Sequence, residues 1–182
     1  MNRYSTCILA VVFMAAAASA FAQQAQPAPA QTNENPMSSE LRQSYARIKD
    51  NLSKMAEKMP EENYGFKATA DIRAFGALVA HVADSQARTC SAVNGEPKSL
   101  DAASKTSKAD LVAALGASFA ICDKAFDSLT DAKAAEMITM GQRQRSRLGL
   151  LAGMLAHSNE EYGYMAVYLR LKGITPPSSE RR

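Results

Sequence analysis

The chain has 182 residues, 47% of them hydrophobic, which is enough material for one unaided core and suits a single domain of ordinary size. Its 21 Lys and Arg against 18 Asp and Glu leave a formal net charge of +3 with both signs spread along the sequence. That balance excludes the strongly basic field of a nucleic-acid binder.

The N-terminal stretch "MNRYSTCILAVVFMAAAASAFAQQ" reads as a secretory signal. Arg3 is the only charge before Glu34, Ile8 to Ala22 is uncharged and predominantly apolar, and Ala20-Phe21-Ala22 offers a small-x-small cleavage pattern. Cleavage before Gln23 leaves a protein of the periplasm or the exterior, with no further membrane insertion, because no second run approaches the ~20 apolar residues a bilayer requires. A retained N-terminus acting as a membrane tether is the rival reading. Residues 23–37, "QQAQPAPAQTNENPM", hold little that could form a core and read as a disordered linker. The folded domain is expected over 38–175, with 176–182 as a tail.

Within that domain apolar residues recur at three and four, which predicts an all-α fold. The first helix spans Ser39 to Met59, capped by Ser38 or Ser39, with a stripe of Leu41, Tyr45, Ile48, Leu52, Met55 and Met59, and it stops at Pro60. After the loop "EENYGFKAT", Thr69 is expected to cap a second helix that buries Ile72, Phe75, Val79, Val82, Cys90 and Val93. The turn-rich stretch from Asn94 to Lys105 leads to a third helix, Ser107 to Leu129, with Leu111, Leu115, Phe119, Cys122, Phe126 and Leu129 on one face. A short additional helix is expected from Thr130 to Thr139, broken by Gly141, before a long last helix from Gln144 to Lys172 that ends at Gly173 and Pro176-Pro177. Four long amphipathic helices predict a four-helix bundle, and the long loops leave open which neighbours run parallel. Arg143, Arg145 and Arg147 form the densest basic cluster. On a helix their every-second-residue spacing scatters the guanidinium groups, which favours a solvated helix start over a phosphate site.

Cys7 leaves with the signal, so Cys90 and Cys122 remain as a pair on inward stripes. A disulfide of the oxidising compartment and two small buried thiols are both open. More informative is "LAHSNEEYGYMAV", Leu155 to Val167. Met154, Glu161 and Tyr168 fall on nearly one line of a helix, and His157 lies one turn before Glu161 on the same side. An unpartnered carboxylate there costs several kcal/mol. The chain's other histidine, His81, sits at the margin of the second helix's apolar stripe. Two histidines and a glutamate from facing helices make a site for a divalent transition metal, and the plain alternative is a hydrogen-bonded boundary histidine beside a surface glutamate. Asp84, one turn after His81, is a candidate to orient its imidazole.

The segments "MPEENYGFKATADIRAFGALVAHVADSQ" from Met59, "SFAICD" from Ser118 and "HSNEEYGYMAVYLRLKGITPPSS" from His157 together resemble the DinB-like family, over Ser38 to Ser179. The resemblance implies a four-helix bundle, often a homodimer, with a metal held by one histidine on the second helix and two, four residues apart, on the last. His81 and His157 match the first two positions. Glu161 stands where many relatives would have histidine, a departure that changes the charge of the site and either shifts its preference among zinc, nickel and iron or marks a lost site. The resemblance further implies thiol-dependent transferase or isomerase chemistry on a small molecule. Export argues for the other chemistry of the same ligands, hydrolysis by an activated water. No separate general base stands out, with Tyr162, Tyr164 and Asp84 the nearby polar candidates. The alternative function is a non-catalytic bundle that binds a metal, a small ligand or its own copy.

Overall fold

Helical periodicity in the sequence becomes four helices in the computed structural model, which describes residues 34–180. The signal-peptide reading for 1–22 and most of the linker reading for 23–37 lie outside the described residues.

Helix α1 (Pro36–Lys58) starts ahead of the expected serine cap, with proline in its first turn, where a missing N–H is no loss. Its orphan amides are met from far along the chain: Met37 N and Ser38 N donate to the Asp131 carboxylate at 3.2 and 2.8 Å, and Ser38 Oγ donates to it at 2.6 Å. The expected stripe is buried from Tyr45 to Met59. Helix α2 (Phe75–Val93) begins later than Thr69, and Ile72 is 39% exposed instead of buried. The cause is local. Phe75 N and Gly76 N donate to the carbonyls of Phe66 and Tyr64 at 3.0 and 2.8 Å, so the preceding loop folds back and caps the helix with its own backbone. Gly76 permits that approach, since a Cβ there would lie 3.1 Å from the Tyr64 ring and 3.2 Å from its carbonyl oxygen.

Helix α3 (Lys108–Asp127) is capped by Ser107, whose Oγ accepts from Asp110 N at 3.1 Å. The expected short helix over 130–139 does not form. Turns lead instead into an antiparallel hairpin of β1 (Met137–Met140) and β2 (Arg143–Ser146), with Gly141 at φ 61° in its two-residue turn. The hairpin rests on the bundle through Ile138 and Met140, and Arg147 fastens it: its guanidinium is paired with Glu136 at 2.9 Å and donates to the Val93 carbonyl at 3.1 Å. Ser146 then caps helix α4 (Arg147–Leu171), accepting from Gly149 N at 3.0 Å.

Side-chain pairings settle the directions that loop lengths left open. Gly76 meets Leu111, Gln86 meets Ser118 and Cys90 meets Cys122, so α2 and α3 run parallel. Tyr168 reaches Arg73, His81 faces His157 and Gln86 meets Ser158, so α4 is antiparallel to α2. Arg42 reaches Leu129 and Lys108 reaches Met59, so α1 is antiparallel to α3. The order is therefore up-down-down-up, and the stretch 94–107 crosses the length of the bundle to join two parallel helices. Cys90 and Cys122 form a disulfide between them, with Cα atoms 4.9 Å apart. The core between the helices is aliphatic and aromatic, with Phe75, Phe126, Leu52, Leu115 and Leu151 among its fully buried side chains. Among the described residues no helix is long and apolar enough to cross a membrane.

Candidate metal centre

Two antiparallel helices bring the three candidate ligands together. His81 stands in the second turn of α2, and His157 and Glu161 stand one turn apart in the middle of α4. The two Nε2 atoms are 3.1 Å apart, and Glu161 Oε1 lies 3.5 Å from each of them. Glu161 is the inner member, 5% exposed at its side chain, while the imidazoles are 31% and 30% exposed, so the cluster is closed by the core on one side and open on the other.

The carboxylate is the revealing group. Its Oε1 sits at the outer limit of hydrogen bonding from both nitrogens, and its Oε2 is buried with no hydrogen-bond partner among the described residues. A buried carboxylate in that condition is costly, and a cation among the three ligand atoms removes the cost. The spacing agrees: ligand atoms at ~2.1 Å from one metal, with angles between ~90° and ~109°, lie roughly 3.0–3.4 Å apart. His81, His157 and Glu161 could hold a metal ion. Their imidazole and carboxylate donors suit a divalent transition metal. Burial pushes the His81 imidazole below its ordinary pKa, against the opposing pull of Glu161, and this favours the neutral form that a metal ligand needs.

Below the cluster, a buried polar chain holds the helices in register. Ser118 Oγ donates to Gln86 Oε1 at 3.0 Å, and Gln86 Nε2 donates to Ser158 Oγ at 3.2 Å, which ties α3, α2 and α4 together beside His157. Sequence reading missed this set, since a glutamine and two serines on three stripes acquire meaning only when the stripes meet. The other candidates are engaged elsewhere. Asp84 does not reach His81; its oxygens accept from Ala102 N and Ala103 N at 2.9 and 3.1 Å, pinning the crossover connection to α2. Tyr162 OH is bonded to Ser178, and Tyr164 OH donates to Glu160.

Two recesses adjoin the open side. One of about 260 Å³ is lined by His81, His157, Arg88 and Arg145 among others, and a second of about 510 Å³ shares His81 and Arg88 and adds Arg73, Lys105 and the carboxylate Asp84. None of Arg73, Arg88 and Lys105 was singled out in the sequence. The expected arginine triplet divides: Arg143 is exposed on β2, Arg145 turns to the recess and Arg147 serves the hairpin.

The profile that describes the DinB superfamily matches residues 44–165, a span containing His81, His157 and Glu161. Solved structures with the same fold include a DinB-like protein from Bacillus cereus, at TM-score 0.66 and 17% identity over 76% of this chain and 95% of that one. A conserved protein from Enterococcus faecalis gives TM-score 0.61 and 15% identity over 74% of this chain and 96% of that one. A DinB-like protein from Bacillus subtilis gives 0.59 and 19% over 75% and 93%. No curated protein matches the sequence.

Proposed function

The chain belongs to the DinB superfamily, and from that premise we propose that it is a metalloprotein whose His81, His157 and Glu161 hold a divalent transition metal for transferase or hydrolase chemistry on a small molecule. The observation that carries this reading is the buried Glu161 carboxylate, one oxygen equidistant from two imidazole nitrogens and the other without a partner.

A bound metal would supply a Lewis acid that lowers the pKa of a water or a small thiol near neutral pH. The protein's own part is positional. The Gln86 chain fixes the separation of α2 and α4 and hence of the two imidazoles, the core behind Glu161 excludes water, and the exposed faces of the histidines leave one side for substrate. Asp84, Tyr162 and Tyr164, the candidates for a separate base, all hold other partners. This favours chemistry in which the activated group is itself the nucleophile. Export is part of the proposal, and the Cys90–Cys122 disulfide, a bond of oxidising compartments, supports it.

The test is elemental analysis of protein beginning at Gln23, purified without chelators or a histidine tag, alongside His157→Ala and Glu161→Ala. Close to one equivalent of a transition metal in the wild type, lost from both variants, is the expected result. Absence of metal under every loading condition would end the enzyme reading in favour of a non-catalytic bundle. The intact mass of exported protein should correspond to a start at Gln23; a retained Met1 would overturn the export proposal.

A further inference from the structure

We infer that the open side of the centre is an anion site built by Arg88 and Arg145, so that the substrate or cosubstrate carries a carboxylate or phosphate beside its reacting group. This deepens the proposed function and relies on it for the reacting centre, whereas the two arginines would bind an anion with the metal absent.

Arg88 stands seven residues after His81 on α2, nearly in line with it along the helix. Arg145 comes from β2 and lies across α4 at Gly153, one turn before His157. Because α2 and α4 are antiparallel, a step forward from His81 and a step back from His157 lead the same way along the bundle. Arg88 and Arg145 therefore line one recess together with His81 and His157. Ser85 and Thr89 supply hydroxyls in its wall, and no carboxylate lines it.

The seat of Arg145 is specific. A Cβ on Gly153 would lie 3.4 and 3.6 Å from its two terminal nitrogens, in van der Waals contact, so the guanidinium packs over Gly153 where a longer side chain would extend. Arg145 Nη2 also donates to the Gly149 carbonyl at 2.9 Å, which fixes the group and leaves its other donors for a ligand. Arg88 has no ion pair or hydrogen bond from its guanidinium among the described residues. Two arginines that form no ion pair among the described residues, lining a recess that itself holds no carboxylate, match the oxygens of a carboxylate or phosphate.

The experiment uses the metal-free protein, with succinate and inorganic phosphate as probes and neutral succinamide as the control, followed by calorimetry and by the arginine side-chain N–H resonances. At least one of the two anions should bind, at least tenfold more weakly to Arg88→Gln and to Arg145→Gln. Gly153→Leu keeps every charge but takes the guanidinium's seat, and it should weaken binding comparably. Arg143→Gln removes the same charge from the same strand outside the recess and should change affinity less than twofold. Tighter succinate binding assigns a carboxylate, and tighter phosphate binding assigns a phosphate. Anions that bind no better than succinamide, or an equal loss in Arg143→Gln, would overturn the inference. Zinc stoichiometry of Arg145→Gln, expected to equal that of the wild type, separates the two readings: zinc bound without anion defeats the anion site, and anion bound without zinc defeats the metal centre alone.

Discussion

Glu161 is a buried carboxylate with one oxygen unpaired among the described residues, a condition that a cation would relieve. If it is the metal ligand proposed above, replacing it removes a liability from the metal-free protein and a ligand from the loaded one, so the two states should respond in opposite senses. Metal-free Glu161→Leu is expected to be at least as stable as the wild type, because an apolar group of similar volume replaces a buried carboxylate with one oxygen unpaired among the described residues and the other only 3.5 Å from each imidazole. Zinc at about 100 times its dissociation constant should stabilise the wild type by about 2.7 kcal/mol and leave the variant unchanged. Urea unfolding with and without zinc checks both halves, and a marked loss of stability in the metal-free variant would show that Glu161 has a protein partner. The pairing of His157 with Glu161 could be read from sequence because a four-residue spacing in line with core positions is a property of one helix, and His81 joined them as the chain's other histidine. Asp84 shows where that reasoning stops: its spacing from His81 was suitable, yet its partners are backbone amides on the connection that follows α2.

Helix ends and short strands depend on contacts that local pattern does not carry. Asp131 caps α1 from 93 residues away, and the Ser38 hydroxyl, foremost among its donors, holds its carboxyl below the usual carboxylate pKa. A depressed folded-state pKa means stability that is present above the ordinary value of 3.8 and lost as the pH falls through the lower folded value. Asp131→Asn should therefore be less stable than the wild type at pH 7, and the gap should close as both are acidified below pH ~4. Thermal melts of both proteins across that range test it, and parallel acid limbs would sink the prediction. The hairpin was misread for a different reason. In "MITMGQRQRS" Ile138 and Met140 alternate with exposed neighbours, the period of a strand, but the run is short and Gly141 serves equally as a helix breaker and as a hairpin turn. The error reached function, because a spacing that scatters arginines around a helix directs them quite differently from a strand.

For the molecule as a whole, the all-α bundle was legible because four long stripes must bury their faces against one another, whereas the parallel course of α2 and α3 rests on pairings no stripe specifies. Net charge was equally silent: a chain near balance still places Arg88 and Arg145 in one recess beside His81 and His157, and Arg73, Lys105 and Asp84 in a second that His81 also lines. The disulfide matters most at this scale, since it joins positions 32 apart across the crossover connection between two parallel helices. Closing a loop of that length is worth roughly 3–4 kcal/mol in the chain-entropy account. Reduction, or the double change of Cys90 and Cys122 to alanine, should lower urea stability by about that amount, and a shift much under 1 kcal/mol would mean the bond constrains little. A covalent bridge that spans the crossover also changes what a protease can accomplish there. One cut between residues 94 and 107 leaves all four helices whole and both halves joined, so the clipped protein keeps its intact size on a non-reducing gel and separates into two fragments only when a thiol is added.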